Sequence, residues 1–315
     1  MKNNEVKYFL PIILGPTAAG KTELSIKLAR EFDAEIISAD SMQVYKDMDI
    51  GTAKVTVDIQ NTIPHHMIDI LTPDGDFSVA DYQKKVDKLI PNIYSRNKLP
   101  LLVGGTGLYI KALIEGFLLP EMDNDPDLRK KLRKQAREKG NKYVHNKLAK
   151  IDPQLAKKLH PNDLRRVIRG IEIYKQTGKT KTYFIEKQSQ NPDRYKALKI
   201  GLYREREELY QRINKRVDNM IEQGLVREVK NLLANYELSK TAKQALGYKE
   251  IIAYLDGQFD LEEALRRIKR DTRHFAKKQL TWFKRDDSIN WFNLSSLTEE
   301  TVYKDCMKLI DRQKV

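Results

Sequence analysis

YFLPIILGPTAAGKT, residues 8–22, decides the fold. Its first half, Tyr8 to Leu14, is a short apolar run that carries Pro11 and leads directly into a glycine loop, so it reads as a buried strand. Its second half, Gly15-Pro16-Thr17-Ala18-Ala19-Gly20-Lys21-Thr22, matches G-x-x-x-x-G-K-[ST]. Glycines let the backbone curl so that successive N–H groups point at phosphate oxygens. The helix that starts here adds the positive end of its dipole, Lys21 reaches the terminal phosphate, and Thr22 offers a hydroxyl to Mg²⁺. A loop with a strand before it and a helix after it is the setting that gives the motif meaning. That helix is expected over Thr22 to Arg30, with Leu24, Ile26, Leu28 and Ala29 among polar residues.

Outward from the loop, strand and helix signals alternate. Glu35 to Ser38 reads as a second strand. Phe77 to Ser95 reads as a helix: Ser78 can cap it, Asp81 sits at the capping-box distance, and Tyr82, Val86, Leu89, Ile90 and Ile93 make one apolar face. Leu99 to Val103 is a third strand, stopped by Gly104, Gly105 and Gly107. Strand–helix–strand order with glycine loops at strand ends predicts an α/β fold, a P-loop NTPase-like parallel sheet flanked by helices. From about Pro120 the texture becomes charged and helical, and Leu198 to Tyr203 returns to the sheet. We therefore expect a catalytic core over 1–121 and 198–315, with an inserted, mostly helical domain over 122–197. Helices are expected from Glu205 to Leu233 and from Leu261 to Lys284.

Charge divides along the same boundary. Residues 1–120 hold 13 Lys+Arg against 15 Asp+Glu, whereas residues 121–200 hold 22 against 10, so most of the overall +14 lies in the insertion. A near-neutral head joined to a basic body suits a small charged substrate and a polyanion. A basic surface kept for solubility is the plainer alternative. The one cysteine, Cys306, excludes an internal disulfide or a cysteine zinc site and fits a reducing compartment. No stretch approaches the roughly 20 apolar residues of a membrane span, and no signal peptide is read, so a cytoplasmic location is expected.

Residues at the carboxyl ends of parallel strands face the ligand crevice. Asp40, after the second strand and before Ser41-Met42-Gln43, should therefore lie beside the phosphate loop, suited to proton abstraction or metal binding; alternatively it caps a turn. Thr106, in Gly104-Gly105-Thr106-Gly107, sits at the same rim or simply satisfies its own turn. His65-His66 point apart and have no cysteine partner, which favours hydrogen bonding over a zinc site. On a helix from Asp163 to Tyr174, Leu164, Val167, Ile168 and Ile171 would face inward, with Arg165, Arg166 and Arg169 sharing an exposed sector. Arg266, Arg270, Arg273 and Lys277 recur at steps of four, three and four, a basic edge facing away from an apolar edge of Leu265, Ile268, Phe275 and Trp282. Such a stripe can track a phosphate backbone without sequence preference.

Several long stretches together resemble the tRNA dimethylallyltransferases, or isopentenyl-tRNA transferases. They are GPTAAGKT (15–22), DSMQVYKDMDIGTAK (40–54), PHHMIDI (64–70), FSVADY (77–82), PLLVGGTGLYIKAL (100–113), HPNDLRRVIR (160–169), RINKRVDNMIEQGL (212–225), ALGYKE (245–250) and TRHFAKKQLTWFKR (272–285). One departure is Asp47, where the family usually has glycine. The resemblance implies that the loop binds the diphosphate of dimethylallyl diphosphate and that the acceptor is N6 of adenosine 37, beside a tRNA anticodon. Asp40 would then be the general base. Lys21, the loop amides, Thr22 with Mg²⁺ and Arg216 would stabilise the leaving diphosphate, with Thr106 next to the target base. Ser41, Met42 and Gln43 would hold the flipped adenine. By the same resemblance Arg129, the run Arg165, Arg166, Val167, Ile168, Arg169, and the run Thr272, Arg273, His274, Phe275, Ala276, Lys277, Lys278, Gln279 match positions that touch tRNA. The insertion would close on the anticodon stem-loop, and the protein is expected to act as a monomer.

Three rivals remain open at this level. A nucleotide kinase would share the loop and its motif-level ATP label. A transferase acting on free AMP or ADP would share Asp40 as well. An RNA-binding protein with a relic loop would keep only the basic stripe.

Overall fold

The computed structural model describes residues 8–120, 122, 125–189 and 194–314. The chain divides into two units, Met1–Ile114 with Arg194–Val315, and Glu115–Asp193. The first unit begins with β1 (Tyr8–Leu14), α1 (Lys21–Glu31), β2 (Ala34–Ala39), α2 (Val57–Thr62), β3 (His65–His66), α3 (Val79–Ser95), β4 (Leu99–Gly104) and α4 (Gly107–Ile114). The second unit holds α5 (Pro126–Lys139), α6 (Asn141–Ile151), α7 (Pro153–Lys158), α8 (Leu164–Thr177) and α9 (Lys181–Gln188). The chain then returns with β5 (Tyr195–Tyr203), α10 (Arg206–Glu222), α11 (Leu225–Asn235), α12 (Lys240–Lys243), α13 (Tyr248–Leu255), α14 (Leu261–Phe283), β6 (Asn290–Asn293) and α15 (Glu299–Lys314).

The strands form one parallel sheet in the order β3-β2-β4-β1-β5-β6. Alternation along β1 explains why the run is apolar on both faces. Phe9 and Ile13 enter a core shared with α1 and α15, while Leu10, Ile12 and Leu14 enter a core shared with α3 and α4. Each such full burial contributes about 1.5–3 kcal/mol. With β1 in the interior of the sheet, the loop that follows it opens beside the loops after β2 and β4. The α3 start forms as its residues require: Ser78 Oγ accepts from Asp81 N–H, and Asp81 accepts from Ser78 N–H at 2.9 Å.

β5 starts earlier than the sequence suggested. Residues Tyr195 to Ala197, placed in the insertion by texture, pair with Tyr8 to Leu10 in the sheet. Lys196 is exposed and breaks up the apolar signal of this stretch, so its strand character does not show in composition. β6 and α15 account for the C-terminal segment that the sequence left unread. The apolar side of α15, Val302, Cys306 and Ile310, is fully buried in the α1 core.

In the second unit the helices surround Leu132, Val144, Leu148, Val167 and Ile171. Two buried carboxylates tie it together. Asp152 accepts from Thr182 Oγ1 at 2.6 Å and from the amides of Leu155 and Thr182. Glu172, with no exposed side-chain surface, is held by Arg129 at 2.7 Å and Arg169 at 2.7 Å.

Candidate functional site

The first turn of α1 has no side-chain cap, because its N-cap is Gly20. Its leading amides, normally satisfied by a Ser, Thr, Asp or Asn, therefore face the cleft. Gly20 takes φ 105° and Gly15 φ 145°, conformations an L side chain rarely adopts, and a methyl on Gly15 would also collide with the Leu202 carbonyl. The curled loop is thus dictated by glycine at both ends. Lys21 folds back over it and donates to the carbonyls of Gly15 at 3.0 Å and Pro16 at 2.7 Å. Burial, reinforced by Arg216, pulls the Lys21 amine down to about 8, against the opposing pull of Asp40 and Glu23. Burial also lowers the Arg216 guanidinium, again opposed by Asp40 and Glu23. Asp40 and Glu23 thus lie close enough to act on both cations.

Asp40 follows β2 and turns its carboxylate into the same cleft as Lys21, Thr22 and Arg216, a space of about 530 Å³. Its Oδ1 accepts from Met42 N–H at 2.8 Å, so the turn-capping alternative and the cleft-facing one are both realised by one side chain. Thr106 N–H donates to Ala39 O at 3.0 Å, and Thr106 Oγ1 accepts from Ser41 N–H at 3.1 Å. The β2 and β4 loops are therefore bonded to each other. Gln43 is fixed by Ser38 Oγ at 2.8 Å and lines the cleft.

α10 forms one wall. Its apolar face, Leu209, Ile213, Val217 and Met220, is buried, which turns Arg212, Lys215, Arg216, Asn219 and Gln223 toward the cleft. Arg212 Nε donates to Ala18 O at 3.0 Å and so braces the loop. A long-range strut holds the opposite side: Glu228 accepts from the amides of Asp49 at 3.1 Å, Ile50 at 2.7 Å and Gly51 at 3.2 Å, and from Tyr248 OH at 2.6 Å.

A family model described as IPP transferase matches residues 43–286. The chain belongs to that family. Family relatives include a tRNA dimethylallyltransferase of Halothermothrix orenii, 67% identical over 301 residues, covering 95% of this chain and 92% of the relative. Among solved structures, the full-length tRNA isopentenylpyrophosphate transferase of Bacillus halodurans matches with a TM-score of 0.72 at 43% identity, covering 98% of each chain. A eukaryotic dimethylallyltransferase acting on tRNA matches with a TM-score of 0.79 at 31% identity, covering 96% of this chain and 78% of that one. The family's glycine position is intelligible here, since Asp47 adopts φ 61° in the left-handed region and is steadied by Tyr236 OH at 2.6 Å.

Of the residues expected at the site, Thr17, Ala18, Gly20, Lys21, Thr22, Asp40, Gln43 and Arg216 line the cleft of the first unit, while Met42 packs against the core under α11, α13 and α14 and Ser41 and Thr106 are bonded to each other. Several residues in the two RNA-matching runs do not face outward. Val167 and Ile168 are core residues of the second unit, 0% and 4% exposed, because the α8 face that carries them packs on α6. Ala276 is fully buried and Gln279 is 8% exposed, both on the inner face of α14. Arg129 and Arg169 neutralise Glu172, and Arg166 pairs with Asp163. Arg165, Thr272, His274, Lys277 and Lys278 keep exposed or part-exposed side chains. Arg273 donates to Asn214 at 2.7 Å. The basic edge of α14 is also less bare than its spacing implies, with Arg266 paired to Glu263 and Arg270 to Asp271. Nor do Phe275 and Trp282 belong to the buried edge: they are 41% and 36% exposed. His66 bonds Glu35 at 2.6 Å and His65 the Ile63 carbonyl at 2.7 Å.

Residue-type reasoning passed over Arg212, Lys215, Asn219 and Gln223, although their three- and four-residue spacing opposite an apolar face was a usable signal. Glu228 left none, since its partners lie about 180 residues away.

Proposed function

We propose that the protein transfers the dimethylallyl group of dimethylallyl diphosphate to N6 of adenosine 37 in tRNA, releasing diphosphate. The observation that carries this reading is the shared cleft: an uncapped phosphate-loop helix, a carboxylate and a part-buried arginine open onto one space. The close family relatives carry the same name. Diphosphate oxygens would meet the α1 amides, with Lys21 and Arg216 balancing the charge that grows as the allylic carbon–oxygen bond breaks. The N6 amine is a poor nucleophile, and Asp40 takes its proton as the new carbon–nitrogen bond forms. Thr106, already accepting from Ser41 N–H, has its own hydroxyl proton to give to the base. Gln43, at the cleft, with Ser41 and Met42 beside it would hold the adenine, which can reach the cleft only when flipped out of its stacked loop.

Magnesium fits this site. Thr22 is exposed on the first turn of α1 at the cleft, with Glu23 and Asp40 nearby. Among the described residues no group of three or more His, Cys, Asp or Glu is assembled for a metal. The ion would therefore rest on the Thr22 hydroxyl, the diphosphate and water, the sparse protein ligation that Mg²⁺ commonly accepts. When bound, it supplies Lewis-acid stabilisation of the departing diphosphate.

The exposed basic side chains of α14 (Lys277, Lys278) and α8 (Arg165) would meet tRNA backbone phosphates. No helix among the described residues is long and apolar enough to cross a membrane. A tRNA acceptor and a water-soluble donor suit a cytoplasmic reaction. The test is labelled dimethylallyl diphosphate offered with tRNA, with free AMP, or replaced by labelled ATP plus a nucleoside. Label in tRNA alone supports the reading. Label in AMP, or phosphate transfer from ATP, sinks it, and salt-sensitive tRNA binding with no turnover would point to a relic loop.

A further inference from the structure

Gln279 sits where neither a phosphate loop nor an RNA contact requires a glutamine. It projects from the inner face of α14, 8% exposed, into the gap between two loops. Its Oε1 accepts from Thr17 N–H at 2.9 Å, and its Nε2 donates to Gly105 O at 3.0 Å. Two glycines make room for this helix face. A methyl on Gly105 would run into Gln279 Nε2, and a methyl on Gly107 into the Trp282 indole. Neither glycine has a positive φ, so their lack of a side chain answers to α14 and not to backbone strain.

The bonds continue on both sides. Thr17 belongs to the loop that would grip the diphosphate. Gly105 precedes Thr106, whose hydroxyl accepts from Ser41 N–H beside Asp40. One amide side chain therefore spans the leaving-group half of the cleft and the base-bearing half.

We propose that Gln279 is a positioning residue: by bonding Thr17 and Gly105 together it sets the separation between the bound diphosphate and the Asp40–Thr106 rim. The proposal rests on the transferase reading above, in which an acceptor amine must attack a carbon held by the phosphate loop. In-line attack is sensitive to such a separation, and a displacement of about 1 Å costs about 100-fold in rate. The bond to Gly105 is buried and that to Thr17 part-buried, which limits competition from water.

The experiment is steady-state kinetics on Gln279→Met, which fills the same slot and makes neither bond, alongside Gly105→Ala and the Gln279→Ala/Gly105→Ala double variant. Thermal unfolding of each variant identifies those that fold. Gln279→Met should lose about 10- to 100-fold in kcat, with KM for donor and for tRNA within about threefold of wild type. Gly105→Ala should lose a similar factor by pushing the glutamine aside, and should cost nothing further in the Gln279→Ala background, where its methyl has space. Wild-type kcat in a folded Gln279→Met protein would overturn the proposal, as would a loss carried by KM or a Gly105→Ala penalty that persists without the glutamine. Transfer by the wild type to some acceptor other than tRNA would refute the functional reading while leaving the same kcat ratios to be read with that acceptor.

Discussion

Lys21 makes donor binding depend on pH between about 7 and 9. Its amine is pulled down to about 8 by burial and by Arg216. In the unliganded protein it is then about nine-tenths protonated at pH 7 and about one-tenth at pH 9. Bound diphosphate favours the ammonium, so affinity should follow the protonated fraction of the free protein. That is a tenfold loss from pH 7 to 9, about 1.4 kcal/mol. The diphosphate's own last proton leaves near pH 6, by analogy with phosphate esters (about 6). The assay is titration calorimetry with the unreactive thiodiphosphate analogue at fixed magnesium, in buffers of different ionisation enthalpy. Binding at pH 8 should take up about half a proton. Affinity that stays flat from pH 7 to 9, or an equal decline in Lys21→Met, would refute the reasoning. Linkage gives a second sign. The folded amine loses its proton near 8 and the unfolded one near 10.5. The unfolded chain therefore binds more protons between those values, and the Lys21 contribution to stability rises with pH across that window.

Asp40→Asn preserves the acceptor for Met42 N–H and removes the base; single-turnover transfer should fall by about 10²- to 10⁴-fold while tRNA affinity changes little. Glu228→Ala releases three amides and Tyr248 OH, and should destabilise the protein by about 2 kcal/mol or more in denaturant titration; an unchanged midpoint would remove its role as a strut. Burial would raise the Glu172 carboxyl, but hydrogen bonds from Arg129 and Arg169 outweigh it and hold it below 4.5. Its stabilising contribution is therefore complete above that pH and lost as pH falls through the folded value, so Glu172→Gln should flatten the acid limb of the unfolding curve. Lys277→Ala should reduce the salt dependence of tRNA binding by about one unit of slope, whereas Val167→Ala should cost about 1–3 kcal/mol of stability and leave that slope alone.

Much of the frame was legible in the order of residues. The strand–loop–helix at 8–31, the capping box at Ser78 and Asp81, and the strand ending at Gly104 are local. Each depends on side chains within four positions of one another, and each formed where its pattern said. The cleft position of Asp40 was also readable, because the carboxyl ends of parallel strands must face the crevice. The basic runs were less legible. Helix periodicity placed Val167 and Ile168 inward, as they are, whereas the family resemblance set Val167, Ile168, Ala276 and Gln279 among RNA-contacting neighbours that they turn away from.

The local pattern of the chain thus determined a phosphate loop on a parallel sheet, because glycine φ values and apolar periodicity act over a few residues. Only the tertiary structure decided that Gln279 would join Thr17 to Gly105 across 262 and 174 positions, that Glu228 would hold the 49–51 turn, and that Arg129 would join Arg169 on Glu172. Hydrogen bonds and ion pairs between side chains far apart in sequence carry no period along the chain. They are chosen by which polar groups remain unsatisfied once the apolar faces have packed.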